Sequence, residues 1–386
     1  MTVHKPSRSP LLHGLNSNYS QDMSTRNYFS PNYTVARDRF REGAISAGGR
    51  LQSLPLQALG PAGEELTIDI AWFGAEHPRR VYVHSSGVHG VELFAGSAIQ
   101  LQWLTENATE APPADSAMVL IHAVNPYGAA WLRRFNENNV DLNRNFRAAG
   151  DFAPEVLPFW EKVNPLLNPG TPPQADGFYL RAAWLVFRYG MASVRQAVAC
   201  GQTLNPDGLF FTGVRPEESV TLLEQFVRER FAGAEAIVGM DVHTGLGAFG
   251  DDRLLVDSAD ARAEANRVML AVYGNHVEVM SKEGVAYKVR GPQHDMYFRL
   301  FPQAQVYFTS QEFGTYPGLR VVSALREETR LHLYGGNRRS DRNEAAKRNL
   351  LEMFNPARDV WQKAILARGR QVMKQMLALG LKSNLN

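Results

Sequence analysis

Four short polar motifs in this chain of 386 residues carry side chains that could act together on a metal ion and a substrate. They are HGVE (89–92), VDLNRNF (140–146), DVH (241–243) and EFGT (312–315). Catalytic zinc is typically held by three His or carboxylate ligands and keeps a fourth position open for water. The motifs also offer an arginine that could bind an anion and a carboxylate that could accept a proton from the attacking water. They therefore predict zinc-dependent hydrolysis beside a carboxylate.

The first motif offers two of the ligands. His89 and Glu92 are three residues apart, just after a predicted buried strand over 80–86 and at the start of a predicted helix. The small residues around His89 would let the backbone and a metal ion approach closely. A His and a Glu with this spacing can reach one ion from the same side, although H-x-x-E alone also fits a structural histidine.

The third ligand is predicted to be His243, at the end of the apolar run AEAIVGMDVH (234–243). With the first motif it would complete a site for one Zn²⁺ per chain, and another divalent metal would suit the same nitrogen and oxygen ligands. Two other histidines, His84 and His122, lie within predicted strands or their turns, where a structural role is expected.

The second motif is densely polar beside an apolar neighbourhood. Arg144 with Asn143 could bind a carboxylate, since a guanidinium offers two parallel donors. Asp141 is suited to orient a ligand histidine by accepting from its second ring nitrogen. Upstream, Arg133 and Arg134 offer a cation that could stabilise the oxyanion of a tetrahedral intermediate. A solvated loop of charges is the alternative interpretation.

Glu312 closes the predicted strand QVYFTSQEF (305–313). As a general base it would take a proton from the attacking water and give it to the leaving amine. The alternative is a helix-capping or surface carboxylate.

Strands and helices alternate along the chain, which predicts one three-layer α/β/α sandwich around a mostly parallel mixed sheet over residues 28–386, after a loose arm over 1–27. Ligands bind at the carboxyl ends of the strands in such sheets, where three of the four motifs fall. Strands are predicted at 66–73, 80–86, 117–124, 234–243, 253–257 and 305–313, and helices at 32–47, 91–104, 178–199, 217–231, 259–274, 319–335 and about 343–379.

Composition narrows the class of protein. Lys and Arg number 41 against 39 Asp and Glu, and no basic patch with interleaved aromatics predicts a nucleic-acid partner. Cys200 is the only cysteine, which excludes a disulfide scaffold and a thiolate-rich zinc site. The first 25 residues do not read as a signal peptide, and no apolar run reaches the ~18 residues of a membrane span. We therefore expect a soluble cytoplasmic protein without a membrane partner, and the oligomeric state stays open.

In combination, the motifs resemble those of the zinc metallocarboxypeptidase family (the carboxypeptidase A superfamily, or funnelins). H-x-x-E and D-x-H resemble its zinc motifs, and R-x-N followed by VDLNRNF resembles its segment that binds the substrate carboxylate. More closely, the chain from about Tyr28 onwards is similar to a bacterial subfamily catalogued as a domain of unknown function. That similarity includes LTIDIAWFG, SSGVHGVE, AGSAIQ, NPYG, GQTLNPDGLFFTG, DVHTGLG and EFGTYP.

The resemblance implies a carboxypeptidase-like fold and a role for each residue of the site. The zinc ligands would be His89, Glu92 and His243, and the general base would be Glu312. Arg134 would stabilise the oxyanion, and Asn143 and Arg144 would bind the substrate carboxylate. Asp141 would support a ligand histidine without binding the metal itself. The family also uses a mobile tyrosine upstream of the catalytic Glu, for which Tyr287 is nearest by position and Tyr297 competes.

The resemblance leaves the substrate open between two classes. A carboxypeptidase would take a small peptide with a free carboxylate, whereas EFGT (312–315) also resembles the E-x-G-T of aspartoacylase-like enzymes, which cleave N-acyl amino acids. The long insertion over 147–215, with GQTLNPDGLFFTG (201–213), suggests a wall or lid over the site. A zinc-binding protein without catalysis is the alternative from another class.

Overall fold

Eight strands and twelve α-helices alternate along the part of the chain that the structure describes. The computed structural model describes residues 27–106, 112–153, 159–257, 262–280 and 289–382. The arm predicted over 1–27 therefore lies, apart from residue 27, outside the described residues. The strands are β1 Arg50–Leu59, β2 Glu65–Gly74, β3 Arg80–Ser86, β4 Ser116–His122, β5 Ala236–Thr244, β6 Asp252–Val256, β7 Val277–Val279 and β8 Gln305–Phe313.

The helices cover the two faces of the sheet and its ends. They are α1 Tyr33–Ser46, α2 Leu93–Glu106, α3 Pro126–Ala130, α4 Trp160–Leu167, α5 Phe178–Tyr189, α6 Met191–Ala199, α7 Glu218–Arg230, α8 Ala263–Tyr273, α9 Gln293–Leu300, α10 Gly318–Tyr334, α11 Asp341–Phe354 and α12 Asp359–Lys382. None of them is both long and apolar enough to cross a membrane, among the residues described.

The strands form one sheet in the order β1-β2-β4-β3-β5-β8-β6-β7. The four central strands, β4, β3, β5 and β8, run parallel to one another. At one side β2 pairs antiparallel with β4 and with β1, and at the other β6 pairs antiparallel with β8. The prediction of a mostly parallel mixed sheet is confirmed.

Side chains alternate between two apolar layers, as the two-residue repeat of a strand requires. In β3, Val81 and Val83 pack into a core with residues of α7 and α9, whereas Tyr82 packs into a second core with residues of α2, α8 and α12. Because both faces are covered, the central strands are buried along almost their whole length, and their polar residues are concentrated towards the carboxyl ends. This is the predicted three-layer α/β/α sandwich.

The structure differs from the sequence prediction mainly where helices break. The helix predicted over 178–199 is two helices, because Gly190 between them has a φ of +84°, outside helical geometry. The helix predicted over 343–379 is also two, α11 and α12, which are separated at Asn355 and Pro356. The edge strand β1 and the helix α9 were not predicted, and α9 proves to contact the site.

Candidate metal centre

The sheet brings three of the motifs together at the carboxyl ends of its parallel strands. β3, β5 and β8 are neighbours and parallel, so their carboxyl ends lie side by side. His243 in β5 is paired in register with Glu312 in β8. Gly87, with a φ of +75°, ends β3 and turns the chain towards His89. The chemistry-bearing residues therefore meet because their strands are adjacent.

The turn after β3 is held against the segment that leads to the second motif. The N–H of Gly90 donates to the carbonyl of Arg134 at 3.2 Å, and that of Val91 donates to the carbonyl of Arg133 at 2.8 Å. A Cβ on Gly90 would lie 2.0 Å from the carbonyl carbon of Gly128. Only glycine fits this approach, which draws the first and second motifs together.

Three side chains converge at the centre of the site. His89 Nδ1 lies 3.0 Å from Glu92 Oε1, His243 Nδ1 lies 3.4 Å from Glu92 Oε2, and the two Nδ1 atoms are 3.3 Å apart. A tetrahedral zinc ion with bonds of about 2.0–2.2 Å separates its ligand atoms by about 3.3–3.6 Å. The spacing of these atoms therefore fits one such ion within a few tenths of an ångström, and all three residues are buried.

The second nitrogen of each imidazole faces a carboxylate. Asp141 Oδ1 lies 3.0 Å from His89 Nε2, and Asp241 Oδ2 lies 2.7 Å from His243 Nε2. A carboxylate in this position orients the ring and favours a proton on the outer nitrogen, with the inner one free to bind a metal. At His89 the guanidinium of Arg134 also faces the outer nitrogen, with Nη2 2.8 Å from Nε2. Asp141 lies where the sequence predicts it, and Asp241 is an equivalent partner for the other histidine.

The balance of buried charge also suits a divalent cation. With the histidines neutral, four carboxylates against two guanidiniums give the cluster and its neighbours a formal net charge of −2. These groups are Glu92, Asp141, Asp241, Glu312, Arg134 and Arg144. Buried charge is costly unless it is paired or binds a metal.

The pKa values of the cluster show the same excess of negative charge. Burial opposes ionisation of Glu92, but His89 and Arg134 beside it hold the pKa of this carboxyl well below its usual range. Burial likewise lowers the pKa of His243, yet Asp241 and Glu92 outweigh it and raise that pKa to about 10. A metal ion would therefore compete with a proton for His243.

Glu312 has the pKa of a group that can exchange protons at neutral pH. Burial, and to a smaller extent Glu92, raise the pKa of its carboxyl, while His243, the N–H of Leu246 and Arg134 lower it, and the net result is a pKa of about 7. The N–H of Leu246 donates to Oε1 at 2.9 Å and fixes the carboxylate. The surface or helix-capping alternative does not describe this side chain, which is 8% exposed inside β8.

Arg134 lies directly against the cluster. Its Nη1 donates to Glu92 Oε1 at 2.6 Å, and its Nε donates to Asp141 Oδ2 at 3.3 Å. The side chain is 11% exposed, so it is not completely enclosed. By contrast, its neighbour Arg133 is fully buried and forms an ion pair with Glu328 at 2.9 Å, away from the cluster.

Asn143 and Arg144 adjoin the cluster through Asp141. The N–H of Asn143 donates to Asp141 Oδ1 at 3.1 Å, and Arg144 Nη1 lies 3.9 Å from the same oxygen. Asn143 Oδ1 accepts from the N–H of Gln293 at 2.9 Å, so its Nδ2 is the atom left to donate. The segment is a buried set of oriented donors, and the interpretation as a solvated loop of charges is wrong.

The segment GQTLNPDGLFFTG (201–213) forms a wall that supports the second motif. The N–H of Asp141 donates to the carbonyl of Phe211 at 2.8 Å, and Asn145 Nδ2 donates to the carbonyl of Thr212 at 2.9 Å. The guanidinium carbon of Arg134 lies over the ring of Phe210, 5.8 Å from the ring centroid. Of the two roles predicted for this segment, the contacts are those of a wall.

Two tyrosines were candidates for the mobile tyrosine of the site. Tyr287 lies outside the described residues. Its competitor Tyr297 is fully buried and stacks on Phe308 with ring centroids 4.3 Å apart, which excludes it as a mobile group that meets substrate.

Two further histidines have structural surroundings, as predicted. His84 Nδ1 lies 3.3 Å from Gln100 Nε2, and His122 Nε2 lies 3.1 Å from Ser97 Oγ. Burial lowers the pKa of both, to about 4 for His84 and about 3 for His122, so both are neutral at pH 7.

Two residues near the cluster were missed by the sequence analysis. Ser85 donates to Asp241 Oδ1 at 2.7 Å, and Gln293 Nε2 donates to Ser85 Oγ at 2.9 Å. Ser85 could have been predicted, because it lies near the end of a predicted strand and its side chain faces the same layer as that of Asp241 on the neighbouring strand. Gln293 was not, because no motif marks the start of α9.

Comparisons with known proteins found distant structural similarities and one family. No curated protein matches the chain. Carboxypeptidase A from Helicoverpa armigera matches with 12% identity and a TM-score of 0.46, over 88% of this chain and 78% of that one. Thrombin activatable fibrinolysis inhibitor matches with 11% identity and a TM-score of 0.44, over 91% and 76%. An aspartoacylase family protein from Mesorhizobium loti matches with 13% identity and a TM-score of 0.36, over 74% and 67%.

One family matches most of the chain. It is described as "Protein of unknown function (DUF2817)", and the match covers residues 29–368. The predicted resemblance to a family of unknown function is thereby confirmed, and it begins within one residue of the predicted start at Tyr28. The chain belongs to the DUF2817 family.

Proposed function

We propose that the protein is a zinc-dependent hydrolase that cleaves an amide bond next to a free carboxylate, as a metallocarboxypeptidase does. The observation that carries this proposal is the convergence of His89 Nδ1, Glu92 and His243 Nδ1 at 3.0–3.4 Å, with a carboxylate behind each ring. Bound there, zinc would lower the pKa of a coordinated water to about 7 and polarise the scissile carbonyl.

Glu312 is proposed as the general base. Its pKa of about 7 lets it accept a proton and release it again at neutral pH. Because Oε1 accepts from the N–H of Leu246, Oε2 is the oxygen that would carry the proton from the attacking water to the leaving amine.

Three polar residues are proposed to bind and orient the substrate. Arg134, against the cluster and still partly exposed, would stabilise the negative charge that develops on the carbonyl oxygen. Asn143 Nδ2 and the guanidinium of Arg144 would bind the substrate carboxylate, and burial strengthens such charge-assisted hydrogen bonds. Tyr287 is proposed to contact the substrate as well, and Tyr287→Phe tests this role.

The substrate would be a short peptide or an N-acyl amino acid, since both have an amide close to a carboxylate. We propose a single catalytic domain over residues 28–386. The residues of the site are more than 200 positions apart in the sequence, yet they come from strands of one sheet.

A product screen tests the proposed function. Zinc-loaded protein is incubated with mixed peptides and with mixed N-acyl amino acids, and products are identified by mass spectrometry. Protein stripped with a chelator and the Glu312→Gln variant are the controls. We expect release of C-terminal residues or of free amino acids by the zinc-loaded protein alone, and the pool that reacts separates peptidase from deacylase. Equal release by all three samples, or no release from either pool, would contradict the proposal.

A further inference from the structure

A chain of buried polar contacts, most of them hydrogen bonds, runs between the outer nitrogens of the two central histidines. On the first side, Asp141 Oδ1 lies 3.0 Å from His89 Nε2 and accepts from the N–H of Asn143 at 3.1 Å. The side chain of Asn143 then accepts from the backbone N–H of Gln293 at 2.9 Å. Gln293 is the first residue of α9, so this contact also satisfies one of the free N–H groups at the start of that helix.

On the second side, the chain continues from the side chain of Gln293. Its Nε2 donates to Ser85 Oγ at 2.9 Å, and the Ser85 hydroxyl donates to Asp241 Oδ1 at 2.7 Å. The other oxygen of Asp241 lies 2.7 Å from His243 Nε2. We call the whole series the polar bridge, which consists of Asp141, Asn143, Gln293, Ser85 and Asp241.

We propose that Gln293 is a positioning residue of the metal centre, which orients His243 through Ser85 and Asp241 and links that histidine to His89 in the turn after β3. This inference rests on the proposed function, since it assigns a task to Gln293 only if the histidines bind a metal ion.

The direction of each hydrogen bond fixes the orientation of Ser85 and Asp241. A serine hydroxyl has a single hydrogen, and it can donate or accept in several orientations. Because Gln293 Nε2 donates to Ser85 Oγ, the hydrogen of Ser85 must point elsewhere, and Asp241 is the acceptor that it reaches. Asp241 is thereby held with its second oxygen on His243. All three residues are at most 1% exposed, so water does not readily replace a lost partner.

A side-chain substitution at Gln293 would disturb only one half of the polar bridge. The bond to Asn143 comes from the backbone N–H and survives any replacement except proline. The bond to Ser85 comes from the side chain and is lost. The account therefore predicts an asymmetric effect, in which the surroundings of His243 change and those of His89 do not.

The test compares Gln293→Met with Gln311→Met. Gln311 is a matched control because it is also buried and also donates to a carboxylate, Asp252 Oδ2 at 2.9 Å, but on the other side of the sheet. Zn²⁺ affinity of the full chain is measured by competition with a chelator. NMR spectra of the zinc-loaded protein report the Nε2–H resonance of each central histidine.

We expect Gln293→Met to weaken Zn²⁺ binding about 10- to 100-fold and to shift the His243 resonance while that of His89 stays in place. Gln311→Met should match the wild type. If the wild type binds Zn²⁺ and Gln293→Met binds it with the same affinity, the inference is overturned and the proposed function stays intact. Loss of affinity that Gln311→Met shares equally would also overturn it. Wild-type protein that binds no Zn²⁺ would refute the proposed function itself.

Discussion

Replacing Glu312 with Gln removes one acid–base group and changes little else in the site. The amide oxygen of Gln can still accept from the N–H of Leu246, as Oε1 of the carboxylate does at 2.9 Å. The three proposed zinc ligands are untouched, so the variant should keep its metal. The amide cannot accept a proton at neutral pH, and turnover should fall while metal binding does not.

The size of the loss follows from the contribution of a positioned general base, and its pH dependence follows from the pKa of this carboxyl. A positioned general base contributes about 10²- to 10⁴-fold to a rate, which corresponds to about 3–5 kcal/mol of activation free energy. The ionised form is the active one, and burial raises its pKa to about 7. Activity should therefore be present above this pKa and fall about tenfold for each pH unit below it. A bound divalent cation adds nearby positive charge, which moves the midpoint below 7.

The assay is the pH profile of kcat/KM for the wild type and Glu312→Gln, with zinc content measured in parallel. Glu137→Gln is the control, because burial raises the pKa of Glu137 to about 7 as well, beside Glu217 and Glu218. We expect Glu312→Gln to lose about 10²- to 10⁴-fold at pH 7.5 with full zinc, and Glu137→Gln to keep the wild-type profile. A Glu312→Gln variant with wild-type kcat/KM would show that another group is the base.

Three further predictions concern substrate binding, stability and the shape of the site. Arg144→Lys keeps the positive charge but loses the two parallel donors of the planar guanidinium. KM for a substrate with a free carboxylate should therefore rise about tenfold or more, with little change in kcat. The effect should vanish for an amidated substrate. Glu137→Gln should raise the free energy of unfolding by about 1–2 kcal/mol at pH 8.5 and by less at pH 5.5. The folded-state pKa of Glu137 lies above its usual value, so its ionisation weakens the fold as pH rises from about 4.5 to about 7, and the full effect is present above 7. Urea unfolding at the two pH values measures the difference. Gly90→Ala would place a Cβ 2.0 Å from the backbone of Gly128, which should lower the free energy of unfolding by about 1–3 kcal/mol or more and lower the zinc content. An unchanged midpoint of unfolding would refute the packing argument.

The strands that carry the chemistry could be predicted because their signals are local. The apolar runs of β3 and β8 were predicted with the bounds that the structure gives, and the polar residues stand at their carboxyl ends. Adjacent parallel strands then bring those ends together, so the meeting of His89, His243 and Glu312 follows from the fold class.

Other parts of the site depend on contacts between distant segments, which one sequence does not show. The start of α9 has no capping signal, so the place of Gln293 in the polar bridge could not be foreseen. The break at Gly190 was missed because apolar spacing continues across it. The wall formed by residues 201–213 depends on backbone carbonyls such as that of Phe211, and side-chain identity does not encode their direction.

The most direct test of the account is an anomalous difference map, calculated from crystals of the zinc-loaded protein with data collected at the zinc absorption edge. The account predicts one strong peak per chain, within bonding distance of His89 Nδ1, a Glu92 oxygen and His243 Nδ1, and its loss in His243→Ala. A map without a peak at this position, or with zinc bound only elsewhere, would contradict the central claim that these three residues form a metal centre.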